Sequence, residues 1–211
     1  MDEREVLKKG AERLGVPFAT AHAEAFSLYL SELLKWNAKV NLTAITGPEE
    51  VAVKHFLDSL SLFRLLPEGH FSAADVGAGA GFPGLPLKIV RPDMALTLIE
   101  PARKKAAFLK NIARTLGLTG VSVVEEKVED AAGEFAGRFD VVLSRAFREP
   151  RLLLPLAAPL LGEGGSVVLS VGPEQEPAPP EGWVVAREEE ITLPFSDYKR
   201  TLIRYIQARN F

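Results

Sequence analysis

A glycine-rich segment, residues 75–84 (DVGAGAGFPG), constrains the fold of this chain more than any other stretch. An apolar run over residues 71–76 leads into it, and a helical pattern over residues 85–90 follows. This order predicts a strand, a tight turn and a helix. Because glycine has no side chain and tolerates positive φ, such a turn brings bare backbone close to a ligand. We therefore predict that a nucleotide-like ligand binds here.

The glycine segment fits two ligand-binding patterns. Residues 79–84 match the dinucleotide fingerprint G-x-G-x-x-G, which is weak evidence when it stands alone. Residues 75–81 instead match D/E-x-G-x-G-x-G, a turn typical of S-adenosylmethionine (SAM) methyltransferases. Glu100 ends the next apolar run, and an acidic side chain there would bind the ribose hydroxyls of either ligand. The segment alone leaves both ligands open, with a purely structural turn as the third interpretation.

The composition narrows the class of protein. With 211 residues, 47% of them hydrophobic, the chain is large enough for one domain, or one domain with a short extension. It has no cysteine and three histidines, so disulfides and thiolate catalysis are excluded and no metal site is predicted. No apolar run approaches the ~20 residues of a membrane span, and the charged first residues do not resemble a signal peptide. We expect a cytoplasmic monomer without membrane contact. The formal charge of −3 argues against a general nucleic-acid binder, although a local basic face is compatible with it.

Hydrophobic periodicity divides the chain into two parts. Residues 1–40 and 48–66 have helical spacing, and we expect residues 1–69 to form a helical extension packed on a SAM-binding domain of residues 70–211. In the second part strands alternate with helices, which predicts an α/β fold with a doubly wound, Rossmann-like sheet. Strands near residues 183–187 and 201–208 predict a terminal antiparallel pair, which favours the methyltransferase version of this sheet. The other predicted elements are strands 73–76, 95–100, 121–125, 141–144 and 166–171 and helices 85–90, 103–116 and 151–160.

Ligands of a doubly wound sheet bind outside the carboxyl ends of its strands. The first four predicted strands end in polar or glycine-rich sequences: the glycine segment, residues 100–102 (EPA), residues 126–130 (EKVED) and residues 144–148 (SRAFR). Packing alone does not require such residues at all four places. We therefore predict that they surround one site.

Four segments of the chain, in this order and spacing, closely resemble the RsmG (GidB) family of bacterial small-subunit rRNA guanine-N7 methyltransferases. They are Trp36-Asn37 with residues 41–45 (NLTAI), residues 55–60 (HFLDSL), the glycine segment, and residues 144–147 (SRAF). The resemblance implies transfer of a methyl group from SAM to N7 of a guanosine in 16S rRNA, with S-adenosylhomocysteine as the other product. The substrate partner would be the free rRNA or the small ribosomal subunit.

The resemblance also implies roles for individual residues. Backbone groups of Gly77 and Gly79 would approach the methionine end of SAM, with Phe82 closing over it. Glu100 would accept hydrogen bonds from both ribose hydroxyls. Phe82 stands where leucine is common in the family and Glu100 where aspartate is, and both changes keep the chemistry. The other implied cofactor residues are Pro101 and Ala102 flanking the adenine, Val128 and Glu129 at its edge, and Arg145 near the cofactor and the target base.

Methylation of guanine N7 needs no general base, because N7 has an exposed lone pair in the neutral base. Catalysis then consists of aligning N7, the methyl carbon and the sulfur. Arg145 is the predicted catalytic residue, in a positioning role, and Arg145 or Arg148 would donate to guanine O6. Phe147 would stack on the guanine or pack inside the protein.

The remaining substrate candidates come from other parts of the chain. His55 and Asp58 are three residues apart on one helix face, where they would support the pocket or form a surface pair. Asn41 would line the pocket or cap a helix. Lys199 and Arg200 belong to one of three basic clusters, and two such clusters beside the pocket would make a rim that contacts phosphates.

Three other functions are compatible with the sequence. The chain could be a methyltransferase of this fold that acts on a small molecule or a protein, or a non-catalytic SAM-binding factor in ribosome assembly. Residues 26–60 favour the rRNA methyltransferase, because their match is to that family. A dehydrogenase fits least well, since Asp75 and the terminal strand pair speak against it.

Overall fold

A computed structural model describes residues 2–145 and 149–208. The stretch predicted as one helix over residues 48–66 is helical without a break from Pro48 to Leu65, which confirms the prediction, although it includes a π-helical turn and ends in a 3₁₀ turn. Isolated π-helical turns are rare and occur mostly at functional sites. The elements before the sheet are α1 (Glu3–Arg13), α2 (Thr20–Val40), α3 (Pro48–Val51), a π-helical turn (Ala52–Leu57), α4 (Asp58–Ser61) and a 3₁₀ turn (Leu62–Leu65).

Strands and helices then alternate, as predicted. The strands are β1 (Ser72–Val76), β2 (Ala95–Ile99), β3 (Val121–Val124), β4 (Phe139–Arg145), β5 (Leu161–Val171), β6 (Trp183–Thr192) and β7 (Lys199–Gln207). The helices are α5 (Gly84–Val90), α6 (Arg103–Thr115), α7 (Val128–Glu134) and α8 (Pro150–Ala157), the last continued by a 3₁₀ turn (Ala158–Leu160).

The seven strands form one sheet in the order β3-β2-β1-β4-β5-β7-β6. The pairs among β1 to β5 are parallel, and β7 is antiparallel to both of its neighbours. This confirms the doubly wound α/β fold with a terminal antiparallel pair. Because the strand order reverses between β1 and β4, their carboxyl ends flank the crevice where such sheets bind ligands.

Both faces of the sheet are buried, which explains why apolar residues occupy most positions of its central strands. Val141 and Leu143 of β4 belong to a core cluster that includes Leu7 of α1 and Tyr29 of α2. Val142, which lies between them in sequence, belongs to a second cluster on the opposite face. The helices at residues 3–65 therefore share one core with one face of the sheet.

Strand β5 begins at Leu161, five residues before its predicted start at Ser166. A Cβ on Gly162 would lie 3.0 Å from the carbonyl oxygen of Gly137, and one on Gly165 would lie 3.0 Å from that of Phe139. These glycines thus allow close backbone approach beside β4 rather than ending the strand.

Helix α7 was not predicted, because it is short and its sequence is mostly acidic and small. Its Val128 and Ala131 are buried, which gives it one apolar face. Within the described residues, no helix is both long enough and apolar enough to cross a membrane.

Candidate active site

The turn after β1 requires glycine for two different reasons. Gly77, Gly79 and Gly81 all have positive φ, at 70°, 59° and 94°. A Cβ on Gly79 would meet only the Gly77 carbonyl oxygen, 3.8 Å away, so this position faces open space. A Cβ on Gly81 would lie 2.5 Å from both Leu85 and the Tyr29 hydroxyl, so this position faces the core. Gly77 and Gly79 form an open backbone turn, which we call the glycine cradle. Gly81 allows α2 and α5 to pack beneath this turn.

Asp75 lies under this cradle as a completely buried carboxylate. Its Oδ2 accepts a hydrogen bond from the Gly84 backbone N–H at 2.8 Å, which ties the strand to the start of α5. Its Oδ1 has no hydrogen-bond partner among the described residues. Burial raises the pKa of Asp75 to about 7, although the Gly84 N–H opposes this shift. A buried acceptor that lacks a donor indicates that a ligand or a water supplies one.

Glu100 follows β2 and faces the same cradle. Its Oε2 accepts the Gly79 N–H at 2.8 Å, and its Oε1 accepts the Ala102 N–H at 2.9 Å. Each carboxylate oxygen can accept a further bond, so two fixed acceptors remain for a ligand. Pro101 and Ala102 are exposed next to it.

The two residues predicted at the adenine edge begin α7. The Val128 side chain is buried and belongs to the second core cluster, whereas Glu129 is exposed. The Val128 side chain therefore contributes packing, and only its backbone and that of Glu129 could contact a ligand as predicted.

Arg145 ends β4 and is held by three groups from the π-helical turn and the start of α4. Its Nη1 donates to the Lys54 carbonyl oxygen at 2.6 Å and to Asp58 Oδ2 at 3.2 Å. Its Nη2 lies 2.9 Å from His55 Nδ1, and its guanidinium lies over the Phe82 ring, 5.0 Å from the centroid. The predicted cofactor residue Phe82 and the predicted positioning residue Arg145 are thus in direct contact.

His55 acts as a neutral acceptor in this arrangement. Burial, followed by the nearby positive charge of Arg145, lowers the pKa of His55 to about 3. Since Nδ1 accepts from Arg145, the ring proton resides on Nε2, which donates to the Thr43 hydroxyl 2.7 Å away. Asn37 in turn holds the Thr43 backbone through two hydrogen bonds of 2.9 Å. The imidazole also stacks on Phe82, with ring centroids 4.5 Å apart.

Asp58 joins three strands at this edge of the sheet. The residue is 1% exposed, and it accepts hydrogen bonds from Arg145 of β4, Ser170 of β5 and Arg200 of β7 at 3.1 to 3.2 Å. The predicted shared helix face of His55 and Asp58 therefore exists and points into the site rather than to the surface.

The other predicted substrate residues lie elsewhere. Asn41 is exposed with φ 49° and ends α2, which is the helix-capping alternative for this residue. Lys199 is exposed, and its carbonyl oxygen accepts from Arg200. Phe147 and Arg148 lie outside the described residues. Within residues 2–145 and 149–208, no three histidine or acidic side chains are grouped as metal ligands would be.

Sequence reasoning missed three residues that belong to this region: Lys54, Ser170 and Tyr198. Ser170 near the carboxyl end of β5 had a usable signal, because it follows the same strand-end rule as the other four segments. Tyr198 lies in a loop, and no local pattern connects it with the other site residues.

The strand order, the glycine cradle after β1 and the carboxylate after β2 together define a Rossmann-like methyltransferase. Among solved structures, a SAM-dependent methyltransferase from Aquifex aeolicus is similar with a TM-score of 0.60 at 17% identity, covering 79% of this chain and 97% of that chain. The putative methyltransferase yhhF from Escherichia coli gives a TM-score of 0.57 at 22% identity, covering 72% and 87%. At these identities the likeness shows the fold.

The sequence comparisons are more specific. The model of the GidB family, described as rRNA small subunit methyltransferase G, matches residues 22–180. A protein from Myxococcus xanthus named Ribosomal RNA small subunit methyltransferase G is 43% identical over 203 residues, covering 92% of each chain. One of the same name from Geobacter sp. (strain M21) is 44% identical over 169 residues, covering 80% of this chain and 77% of the relative. The chain therefore belongs to the GidB family, as the resemblance in the sequence indicated.

Proposed function

We propose that this protein transfers a methyl group from SAM to N7 of a guanosine in 16S rRNA. Membership of the GidB family carries the proposal, and the position of Arg145 between the glycine cradle and the helical segment supports it. The same proposal includes a monomeric protein that acts in the cytoplasm. It also includes a helical extension of residues 1–69 that works as one unit with the domain of residues 70–211, since His55 and Asp58 come from the extension.

The residues at the carboxyl ends of β1 and β2 fit SAM. Asp75 Oδ1 lacks a hydrogen-bond partner among the described residues and would accept one from the cationic amino group of the methionine part. Glu100, held by two backbone N–H groups, would accept the ribose hydroxyls. Gly79 faces open space beside them, Gly77 shapes the same turn through its positive φ, and the buried Phe82 ring packs against Tyr29 and His55. When bound, SAM supplies an electrophilic methyl group on a sulfonium.

The protein groups position the substrate rather than remove a proton. The guanine N7 lone pair forms the new bond to carbon while the carbon–sulfur bond breaks, and no proton leaves the base. His55, with its low pKa, is neutral at physiological pH and serves to orient Arg145. Three of the five N–H groups of Arg145 are used in the contacts to Lys54, Asp58 and His55. The other two have no hydrogen-bond partner among the described residues and would donate to the O6 of guanine.

Transfer of labelled methyl from SAM to small-subunit rRNA that lacks the modification tests this function, followed by mapping of the modified base. We expect label at a guanosine N7. Arg145→Lys keeps the charge but loses the planar fork, and we expect kcat to fall by about 100-fold with little change in SAM affinity. Lys8→Gln, at an exposed position on α1, is the matched control. Absence of label in free rRNA and in assembling subunits alike would contradict the proposal.

A further inference from the structure

A cavity opens beside Arg145, and none of the described glycines of the turn after β1 lines it. Its volume is about 470 Å³, within the range of small-ligand sites. It shares His55, Asp58 and Arg145 with the site described above. Its other described lining residues are Ile45, Lys54, Ser170, Gly172, Gln175, Tyr198 and Arg200. The cavity is thus continuous with the methyl-transfer site, although neither the glycine cradle nor Glu100 lines it.

Positive charge dominates the described lining. Lys54, Arg145 and Arg200 are cations, and Asp58 is the only anion among the described lining residues. Burial keeps His55 neutral. Lys54 also pairs with Glu50 at 2.6 Å on the rim, so the two arginines, sharing one buried carboxylate, provide the excess charge. An anion of single charge, such as a phosphodiester, would balance it.

Arg200 is held with its outer end toward the cavity. Its Nε donates to both oxygens of Asp58, at 3.1 and 3.2 Å, and its Nη1 donates to the Lys199 carbonyl oxygen. The arginine side chain keeps 20% exposure. A guanidinium fixed by its inner nitrogen presents its outer donors to an anion at low entropic cost.

Tyr198 supplies an aromatic surface at the mouth of the same cavity. It is 43% exposed, so part of its ring is accessible to a ligand. Lys54 Nζ lies 4.7 Å from the ring centroid and the Arg200 guanidinium 6.0 Å from it. Ile45 adds an apolar wall. Proteins hold unpaired nucleotides with exposed aromatic rings that stack on the base and nearby cations that neutralise the phosphate, and Tyr198 with Arg200 offers both kinds of group.

We infer that this cavity binds one ribonucleotide of the RNA substrate, its base stacked on Tyr198 and its phosphate contacted by Arg200. The inference rests on the proposed function, because it assigns a second contact to the same RNA. It explains why Asp58 bridges two arginines. One carboxylate sets the distance between the arginine at the methyl-transfer site and the arginine at the phosphate, and so it sets the register of the RNA chain.

Filter binding of unmodified small-subunit rRNA, with the protein saturated with S-adenosylhomocysteine, tests the inference independently of methyl transfer. We expect Tyr198→Ala to weaken binding by about tenfold and Tyr198→Phe, which keeps the ring, to recover most of that loss. Arg200→Gln should weaken binding and reduce the slope of log affinity against log salt by about 0.7. In methyl-transfer assays Tyr198→Ala should raise KM for rRNA, with kcat and the Kd for SAM unchanged.

The controls separate the two proposals. Lys8→Gln removes an exposed charge on α1, far in sequence from Tyr198 and Arg200, and should leave the rRNA Kd at the wild-type value. Tyr198 is exposed, so its variants should keep the wild-type melting temperature, which circular dichroism would check. Wild-type rRNA affinity in Tyr198→Ala, or no rRNA binding by the wild-type protein, would overturn the nucleotide site. Specific binding that depends on Tyr198, without any methyl transfer, would overturn the proposed function alone.

Discussion

Asp75→Asn should stabilise the ligand-free protein while weakening its binding of SAM. Asp75 is fully buried, and only one of its oxygens has a partner among the described residues. Asparagine has nearly the same shape, and its oxygen can still accept the Gly84 N–H. The variant therefore removes a buried charge without creating a cavity. A residue that costs stability at physiological pH is expected where a ligand uses it.

The size of the gain follows from the pKa of Asp75, which burial raises from 3.8 to about 7. A raised folded-state pKa means that the native protein binds more protons than the unfolded chain between these values. Wild-type stability from this group therefore falls as pH rises through that interval. Each pH unit between the two pKa values lowers the free energy of unfolding by about 1.36 kcal/mol, so ionisation of Asp75 costs about 4 kcal/mol in total. About 2.5 kcal/mol of this loss falls between about pH 5 and pH 8.

Urea unfolding of wild type and variant over this pH range measures the effect. The stability of Asp75→Asn relative to wild type should increase by about 2.5 kcal/mol from about pH 5 to pH 8, while contributions from other groups cancel. Asp197→Asn, at an exposed carboxylate, controls for simple loss of charge. Calorimetric titration should show SAM binding weakened by about tenfold or more. If the difference in free energy of unfolding between wild type and Asp75→Asn does not change with pH, the claim that Asp75 is a buried carboxylate with a raised pKa is refuted.

Two further substitutions test the surroundings of the site. His55 has a lowered pKa of about 3, so the unfolded chain binds the extra proton as pH falls below about 6.5 and the native state loses stability. His55→Asn lacks this pH-dependent loss of stability. The difference in free energy of unfolding between wild type and this variant, measured in urea, should therefore decrease by about 2 kcal/mol as the pH is lowered from about 7.5 to 5. Gly81→Ala should cost about 3 kcal/mol more than Gly117→Ala by the same measurement. Both positions have positive φ, but only the Gly81 Cβ would meet Leu85 and Tyr29, and equal losses would exclude the packing role.

The parts of the fold that the sequence predicted are those governed by local pattern. β1, β2 and α6 were found within a residue or two, because apolar runs bounded by polar or glycine residues are local signals. The start of β5 was missed because Gly162 and Gly165 disfavour a strand by propensity, and their close approach to β4 is a tertiary effect. The π-helical turn was also missed, since its residues have ordinary helical spacing.

In the candidate site, too, local sequence patterns predicted some features, whereas others depend on tertiary contacts. The strand-end rule located Asp75, Glu100 and Arg145, because it needs only the strand assignments. It could not show that Asp58 contacts Arg200, which is 142 residues away in sequence and lies on an antiparallel strand. Nor could it show the protonation state of His55, which depends on burial and on Arg145. Contacts and charge states of this kind exist only after the chain has folded.

Several of these long-range contacts join segments that carry the family resemblance outside the glycine turn. The glycine turn supplies backbone groups, and the ends of β1 and β2 supply the acids Asp75 and Glu100. A methyltransferase of this fold can use these groups whatever its substrate. Arg145 is different, because its donors are directed by Lys54, Asp58 and His55 from the helical segment, and His55 is itself held by Thr43. Removing the Asp58 carboxylate or the His55 imidazole would leave one donor of this largely buried guanidinium without its acceptor, which costs stability. We therefore expect substitutions in the helical segment and at the end of β4 to have coupled rather than additive effects on stability.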